Sequence, residues 1–334
     1  TLHGLPCYWT AYHLAAGAHV GADVETTWRD TFNFQVQGPN SIEVLDALTD
    51  CSLRDVEFIH FDTVDVAGCE VTALRMGMAG ELGFELQGPA EDAEAVWDAI
   101  LDAGEAFGIR RLSERTSSMN HLEACFPTRG RDYVPAIHGD EMADFRAWVD
   151  EHATRDVLTY PIEGSFDADD VSAWYRTPVE LGWEGNVALD HEFVGRRALE
   201  SELADPERTI VTLVWDDEDV VAAYRSLFEE GPAAKYMDMP HQQKRAMVAD
   251  EVLVDGRRVG VSTCRGYSYY FREMLSLCTI DVAYAEPGTE VTVRWGAGGD
   301  PATPTVEPHE QAAIRATVAP APYKEDNRRA DISG

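Results

Sequence analysis

The sequence predicts an α+β fold whose C-terminal third is a small antiparallel barrel or sandwich. Three stretches carry this expectation. Residues 75–89 read Arg-Met-Gly-Met-Ala-Gly-Glu-Leu-Gly-Phe-Glu-Leu-Gln-Gly-Pro, with Gly77, Gly80 and Gly83 inside seven positions. An apolar run (Val71, Ala73, Leu74) precedes them, and Phe84 and Leu86 alternate after them. Glycines at this density permit positive φ and close backbone approach, so the stretch reads as strand, tight loop, strand. Next, Ala93, Val96, Trp97, Ile100 and Phe107 recur at helical spacing behind an acidic first turn (Glu91, Asp92), until Gly108 stops the pattern. Finally, the chain from Asp250 onward is dense in short apolar alternations. Residues 251–254 and 257–261 flank Asp255-Gly256, a strong hairpin signal, and 278–282, 289–295 and 312–318 follow with Pro287-Gly288 as a turn.

The remaining elements are read in order. Trp9, Tyr12 and Leu14 are placed to form a helix running toward Gly17 and Gly21. Residues 31–37 alternate Phe32, Phe34 and Val36, a strand with Gln35 and Gln37 on its other face. Asn40 with Glu43 three residues on resembles a capping box for a helix through Leu48. Residues 56–76 read as two strands turning at Ala67-Gly68; 140–152 and 192–203 read as amphipathic helices, 209–215 as a strand and 220–228 as a helix. The composition shifts at Ala204-Asp205-Pro206.

At 334 residues the chain is long enough for two or three domains with a real core. Sixty acidic residues against 27 basic ones give a net charge of −33, and three of the cations are lysines (Lys235, Lys244, Lys324). The excess is spread along the whole chain. It opposes binding to nucleic acid and to anionic membranes, so neither is expected as a partner. It suits a cytoplasmic protein kept soluble in concentrated salt, where screening suppresses self-repulsion. Six cysteines form no C-x-x-C pair and no zinc-spaced His/Cys cluster, so buried thiols in a reducing compartment are expected and no metal site is. No apolar run approaches membrane-spanning length. The sequence opens at Thr1 without Met or a charged-then-apolar leader, and reads as processed or as a piece of something longer.

Glu85, just past the glycine loop, is the candidate binding residue. On a strand, its carboxylate can accept two parallel hydrogen bonds from a donor–donor edge such as a guanidinium or an aminopyrimidinone. The bland alternative is a solvent-facing glutamate on an edge hairpin. Gln35 reads either as a ligand contact or as a polar residue on a half-buried strand.

Taken together, several stretches resemble the glycine-cleavage T-protein superfamily of folate-dependent enzymes, and within it the tetrahydrofolate-dependent vanillate and 3-O-methylgallate O-demethylases. The matching stretches are Phe34-Gln35-Val36-Gln37-Gly38-Pro39, the loop at 75–89, 99–108, 120–123, and 180–200 around Phe193-Val194-Gly195-Arg196. Gly266-Tyr267-Ser268-Tyr269 and Thr305-Val306-Glu307-Pro308-His309 complete the series. Roughly the first 120 residues of such demethylases have no counterpart.

The resemblance implies a split α/β domain, a ferredoxin-like part and a C-terminal antiparallel β-barrel around a folate channel. Residues 1–204 would form the folate-binding region, lacking its N-terminal part. Residues 205–323 would form the barrel, and 324–334 a frayed polar tail. The implied activity moves a methyl group from a small methoxylated aromatic acid to N5 of tetrahydrofolate. The alternatives are an aminomethyltransferase or other small-donor relative, and a non-catalytic folate-binding protein. By position, Glu85 is implied to grip the pterin, Gln35 and Thr1 to contact folate, and Phe126 to stack where the demethylases carry tryptophan. His3 falls where an arginine anchors the substrate carboxylate, and loses that bidentate clamp. Ser117 falls at the tyrosine proposed as general acid, and a serine hydroxyl is a poor proton donor to a phenolate. Tyr12, His13, His121 and Tyr133 are the candidate substitutes, each with an alternative structural role. The expected partners are tetrahydrofolate and a small methyl donor; the oligomeric state is open.

Overall fold

The structure, a computed structural model, describes residues 4–17, 27–242, 247–298 and 307–332. The chain forms two compact units, one of residues 1–27 with 127–320, the other of residues 28–126 with 321–334. Helix α1 (Leu5–Ala15), with Pro6 in its first turn where no backbone donor is lost, belongs to the first of these.

The smaller unit is a four-stranded antiparallel sheet with helices on one face. Strand β1 (Thr31–Gln37) leads to α2 (Ser41–Leu48), then to β2 (Phe61–Val66), β3 (Cys69–Arg75) and β4 (Gly83–Pro89). Helices α3 (Ala93–Gly104) and α4 (Glu114–Glu123) follow, and the strands lie in the order β1-β4-β3-β2. Period-two alternation sorts the side chains. Phe32, Val36, Val64, Val66, Val71, Ala73, Phe84 and Leu86 are buried and form one core with Ile42 and Leu45 of α2 and Val96 and Ile100 of α3. The opposite face carries Asn33, Gln35, Glu85, Gln87 and Thr72. Gly108, at φ 74°, ends the turn after α3, and the β2–β3 turn places Ala67 and Gly68 at φ 54° and 82°.

Two local expectations are corrected here. The capping box at Asn40 does not form: its side chain makes no cap bond and donates instead to the Phe107 carbonyl at 3.4 Å. The segment expected to fray is tied down through residue 332. The Lys324 amide donates to Glu123 O at 2.9 Å, the Asn327 amide to Gly80 O at 2.9 Å, and Ile332 packs on the sheet's core. Helix α4 was not foreseen. It lacks an apolar stripe, and its start is set by Ser113, which accepts the Thr116 amide at 3.3 Å.

The larger unit continues with α5 (Ala143–His152), β5 (Ile162–Glu163), α6 (Arg196–Ala204), β6 (Arg208–Trp215) and α7 (Asp217–Ser226). It ends with β7 (Met247–Val248), β8 (Asp250–Val254), β9 (Arg257–Ser268), β10 (Glu273–Asp281), β11 (Glu290–Trp295) and β12 (Ala312–Ala319). Six of these strands close an antiparallel barrel in the order β10-β6-β12-β11-β8-β9, which leaves no sheet edge unpaired. The β8–β9 hairpin turns at Asp255-Gly256, with φ 50° and 76°. Leu213, Trp215, Val252, Val293, Ile314 and Val318 belong to the barrel core. There Trp215 and Trp295 meet edge to face at 5.7 Å. Trp215 Nε1 donates to Ser276 Oγ at 2.9 Å and Trp295 Nε1 to the Lys235 carbonyl at 2.8 Å, so neither buried indole is left unpaired.

The cysteines are only partly as expected. None of the six is in a disulfide, but only Cys264 and Cys278 are buried; Cys51 is exposed, lying in the loop after α2 rather than on a core-facing position.

Two buried carboxyls fasten loops to the barrel. Asp132 accepts the Thr128 amide and the Thr263 hydroxyl, both at 2.7 Å, and Asp250 accepts the Ser165 amide at 3.0 Å. Burial pushes both up from 3.8 to about 6. The folded state therefore holds protons that the unfolded chain releases. This contribution to stability is complete below pH 3.8 and is lost as pH rises through about 6. Asp132→Asn should remove its share, on the order of 2–3 kcal/mol across that window. Urea unfolding of both proteins from pH 4 to pH 7 checks this, and a difference that does not change with pH would refute it.

Candidate functional site

The loop between β3 and β4 has no room for a side chain at Gly77, nor does β4 at its first residue, Gly83. A Cβ on Gly77 would stand 2.3 Å from the Glu81 carbonyl oxygen, and one on Gly83 would stand 2.9 Å from Gln37 Cβ. Gly80 sits at φ 69°. A loop folded this tightly cannot satisfy its own carbonyls, so they are met from outside. Gln35 Nε2 donates to Met76 O at 3.0 Å, Lys324 Nζ to Ala79 O at 3.1 Å, and Ser41 Oγ to Leu82 O at 3.0 Å. Gln37 Oε1 accepts the Met78 amide at 3.3 Å, and Lys324 also pairs with Glu81 at 2.9 Å. Buried Arg75, at the head of the loop, donates to the carbonyls of Val56 and Ala330.

Past this loop, β4 runs between β1 and β3, so Glu85 stands on an interior strand and not on an edge. It lies directly opposite Gln35, and Asn33 lies opposite Gln87. Asn33 Nδ2 and Gln87 Nε2 both donate to Glu85 Oε2, at 3.3 and 3.2 Å. Two neutral amides thus orient the half-buried carboxylate. Among the described residues Oε1 accepts no hydrogen bond. This is a held carboxylate with one oxygen open, suited to an external donor pair.

The other expected site residues are distributed as follows. Ser117 is half-buried on α4, and its hydroxyl has no partner among the described residues. His121 lies one turn further along the same helix. Phe126 follows α4 directly: its amide donates to His121 O at 2.7 Å, its ring is 5.2 Å from the His121 ring, and Cys125 before it adopts φ 46°. Gln35, Glu85, Ser117 and Phe126 all belong to the smaller unit. Tyr12 belongs to the larger one, where its ring packs on Phe145 and Trp148 at 5.4 and 5.9 Å. Its neighbour His13 has a buried Nε2 with no hydrogen-bond partner among the described residues. Tyr133, also in the larger unit, meets Trp183 edge to face at 6.1 Å, and burial pushes its phenol above the ordinary range. Thr1 and His3 lie outside the described residues.

Sequence reasoning missed the amides that hold Glu85. Gln87 is in plain sight two residues on, but Asn33 is 52 positions away and joins the site only through strand register. It also missed Lys324. Among the described residues no group of three or more His, Cys, Asp or Glu is placed to hold a metal ion.

Residues 7–144 match the family described as "GCVT N-terminal domain". The chain is 38% identical over 329 residues to the syringate O-demethylase of Sphingobium sp., spanning 94% of this chain and 69% of that protein. It is 35% identical over 328 residues to the sesamin methylene transferase of Sinomonas sp., spanning 94% and 70%. An aminomethyltransferase of Halalkalibacterium halodurans is 25% identical over 276 residues, spanning 82% and 58%. Among solved structures, the glycine cleavage system aminomethyltransferase T from Bartonella henselae superposes with a TM-score of 0.58 at 18% identity. That superposition covers 96% of this chain and 66% of that one, a likeness of fold.

The loop itself yields a test. Gly77→Ala must push the added methyl against a backbone oxygen, and should lower thermal stability by on the order of 2 kcal/mol or more. Gly68→Ala is the control, because nothing lies within 4 Å of its added Cβ although its positive φ carries a cost of its own. Calorimetric scans of the two variants check it, and a Gly77 variant no less stable than the control would refute the account.

Proposed function

The chain belongs to the glycine-cleavage T-protein superfamily, and from that premise we propose that it is a tetrahydrofolate-dependent one-carbon transferase. Its reaction is O-demethylation, in which a methyl group passes from a small methoxylated aromatic acid to N5 of tetrahydrofolate. The observation that carries the reading is Glu85, a strand-borne carboxylate held by two amides with one oxygen open. Identity of 38% along most of the chain to a syringate O-demethylase supports the choice of donor.

Glu85 suits the pterin's aminopyrimidinone edge. With Oε1 open and Oε2 held by the Asn33 and Gln87 amides, the carboxylate would be the group to accept that edge's paired donors. Gln35, by bracing the Met76 carbonyl, keeps the adjoining loop in place, and Phe126 offers an aromatic face to the folate. Tetrahydrofolate, when bound, supplies the N5 nucleophile. The protein's part is alignment, because an unactivated aryl ether is a poor electrophile and orientation alone supplies several kcal/mol. In this reading Ser117 serves as a hydrogen-bond donor toward the departing oxygen rather than as an acid of matched pKa. Thr1 and His3 retain their proposed roles in folate and carboxylate contact.

A second reading places the transfer at the methylene level. It is favoured by Ser117, which lacks a phenol's acidity, and by the 35% identity to a sesamin methylene transferase. Product identity decides between the two, since the first reading requires 5-methyltetrahydrofolate and the second the 5,10-methylene form.

We also propose that the protein works in the cytoplasm in concentrated salt, on the strength of its −33 charge and of six cysteines outside any disulfide. Stability and activity should rise on going from dilute buffer to molar KCl; a fall in both would sink this part. In molar KCl, isothermal titration should show tetrahydrofolate binding lost in Glu85→Ala and weakened in Glu85→Gln. Unchanged affinity in the alanine variant would remove Glu85 from the site.

A further inference from the structure

The glycine loop is braced from two directions. Gln35, Gln37 and Ser41 hold it from β1 and α2 with neutral groups. The segment after the barrel holds it from the other, and there the bonds converge on one residue. The Lys324 amide donates to the carbonyl of Glu123, the last residue of α4, at 2.9 Å. Its ammonium donates to Ala79 O at 3.1 Å and pairs with Glu81 at 2.9 Å. Lys324 thus bonds the loop that precedes β4 to the helix that runs into Phe126. Both side chains of the ion pair are 18% exposed, so bulk salt screens it far less than a surface pair.

Packing around this clamp leaves the loop little play. A Cβ on Gly80 would stand 3.4 Å from both Glu325 O and Lys324 Cδ and 3.5 Å from Ala124 Cβ, and one on Gly77 would stand 3.5 Å from Arg328 Cγ. The Asn327 amide donates to Gly80 O at 2.9 Å. The far end of the segment is fastened separately, by Arg54 Nη1 donating to Ile332 O at 3.4 Å. What happens in the loop is passed on through β4. A Cβ on Gly83 would stand 3.2 Å from both Gly77 Cα and Met76 O, so the strand begins hard against the loop's entry. Two residues on, Glu85 lies opposite Gln35, whose amide is itself bonded to Met76 O. A displacement of residues 77–81 therefore reaches both the carboxylate and the residue that faces it.

We propose that Lys324 is a positioning residue for the pterin, which sets the affinity for tetrahydrofolate by fixing the glycine loop against the end of α4. It acts through the loop and not on the ligand, and the inference rests on the folate reading given above. A lysine suits the task because the Ala79 carbonyl and Glu81 are separate acceptors, which a compact charge on a flexible stem reaches together. Removing the ammonium strips that donor from both. The loop then relaxes, and Glu85 is no longer held where the ligand's paired donors meet it. Charge-assisted bonds of this kind are the strong ones, so their loss is felt in binding.

The test is isothermal titration of tetrahydrofolate in molar KCl, with circular dichroism to show that each variant is folded. Lys324→Met, which keeps the stem and removes the charge, should bind about tenfold or more weakly than the parent. Lys324→Arg, which keeps a cation within reach of Glu81, should stay within about threefold of it. Arg54→Met loosens the other end of the same segment and should leave the affinity unchanged, although it too lowers stability. Amide exchange over residues 77–83 should quicken in Lys324→Met and not in Arg54→Met. If Lys324→Met does not fold, Glu81→Gln removes the charged half of the clamp and should weaken binding about threefold or more. A parent that does not bind removes the folate reading and this inference with it. A parent that binds no better than the folded Lys324→Met, or than Glu81→Gln in its stead, removes this inference alone. So does an Arg54→Met protein weakened as much as Lys324→Met, which would make the segment a general fastening.

Discussion

The unmet carbonyls of the loop at 76–82 are the constraint on which the smaller unit depends. The turn is too tight for any side chain at Gly77, and its oxygens can only be satisfied by groups brought from elsewhere. Leaving one such group buried and unpaired costs about 1–3 kcal/mol, more than a typical hydrogen bond contributes when made. The donors come from β1 (Gln35), the start of α2 (Ser41) and the segment after the barrel (Lys324, Asn327). Meeting the loop's demands thus fixes where β1 lies against β4. That register in turn brings Asn33 and Gln87 onto Glu85. Loop, sheet and site form one arrangement.

The candidate site holds its carboxylate without a counter-charge. In a chain of net charge −33 the Glu85 carboxylate, proposed above as the pterin's acceptor, is oriented by neutral amides rather than by a cation. An arginine at Asn33 would occupy both carboxylate oxygens bidentately. An amide turns the group without exhausting it. Lys324, one of three lysines, is spent on Glu81 and the Ala79 carbonyl, where a compact charge on a flexible stem can reach two acceptors.

Much of the fold was legible in the sequence, for local reasons. Strand β1 shows because one face of its sheet is buried, so Phe32 and Val36 must alternate with polar residues. The hairpins at Ala67-Gly68 and Asp255-Gly256 show because both turn positions need positive φ. What stayed hidden depended on distant partners. Asn40 and Glu43 have the spacing of a capping box, but the Asn40 amide goes to a carbonyl 67 positions away. Helix α4 buries Ser118 and Glu123 beside Met119 and Leu122, so its sequence carries no apolar stripe. Glycine spacing pointed to Glu85, whereas nothing local identifies Asn33 as its holder. The polar composition of 324–332 reads as fraying because its acceptors lie far back along the chain.

That last separation has a consequence for biosynthesis. The Ala79 carbonyl waits for a lysine 245 residues downstream, and Arg75 for a carbonyl 255 residues downstream. On the ribosome, the glycine loop emerges long before the groups that complete it, and the whole barrel is made in between. Closing so long a loop carries an entropic toll that slows assembly. The nascent smaller unit must persist meanwhile with its loop unfinished, exposed to the misassembly that threatens late-closing folds. Chaperone dependence would then track the translation of residues 324–332 rather than that of the sheet they complete.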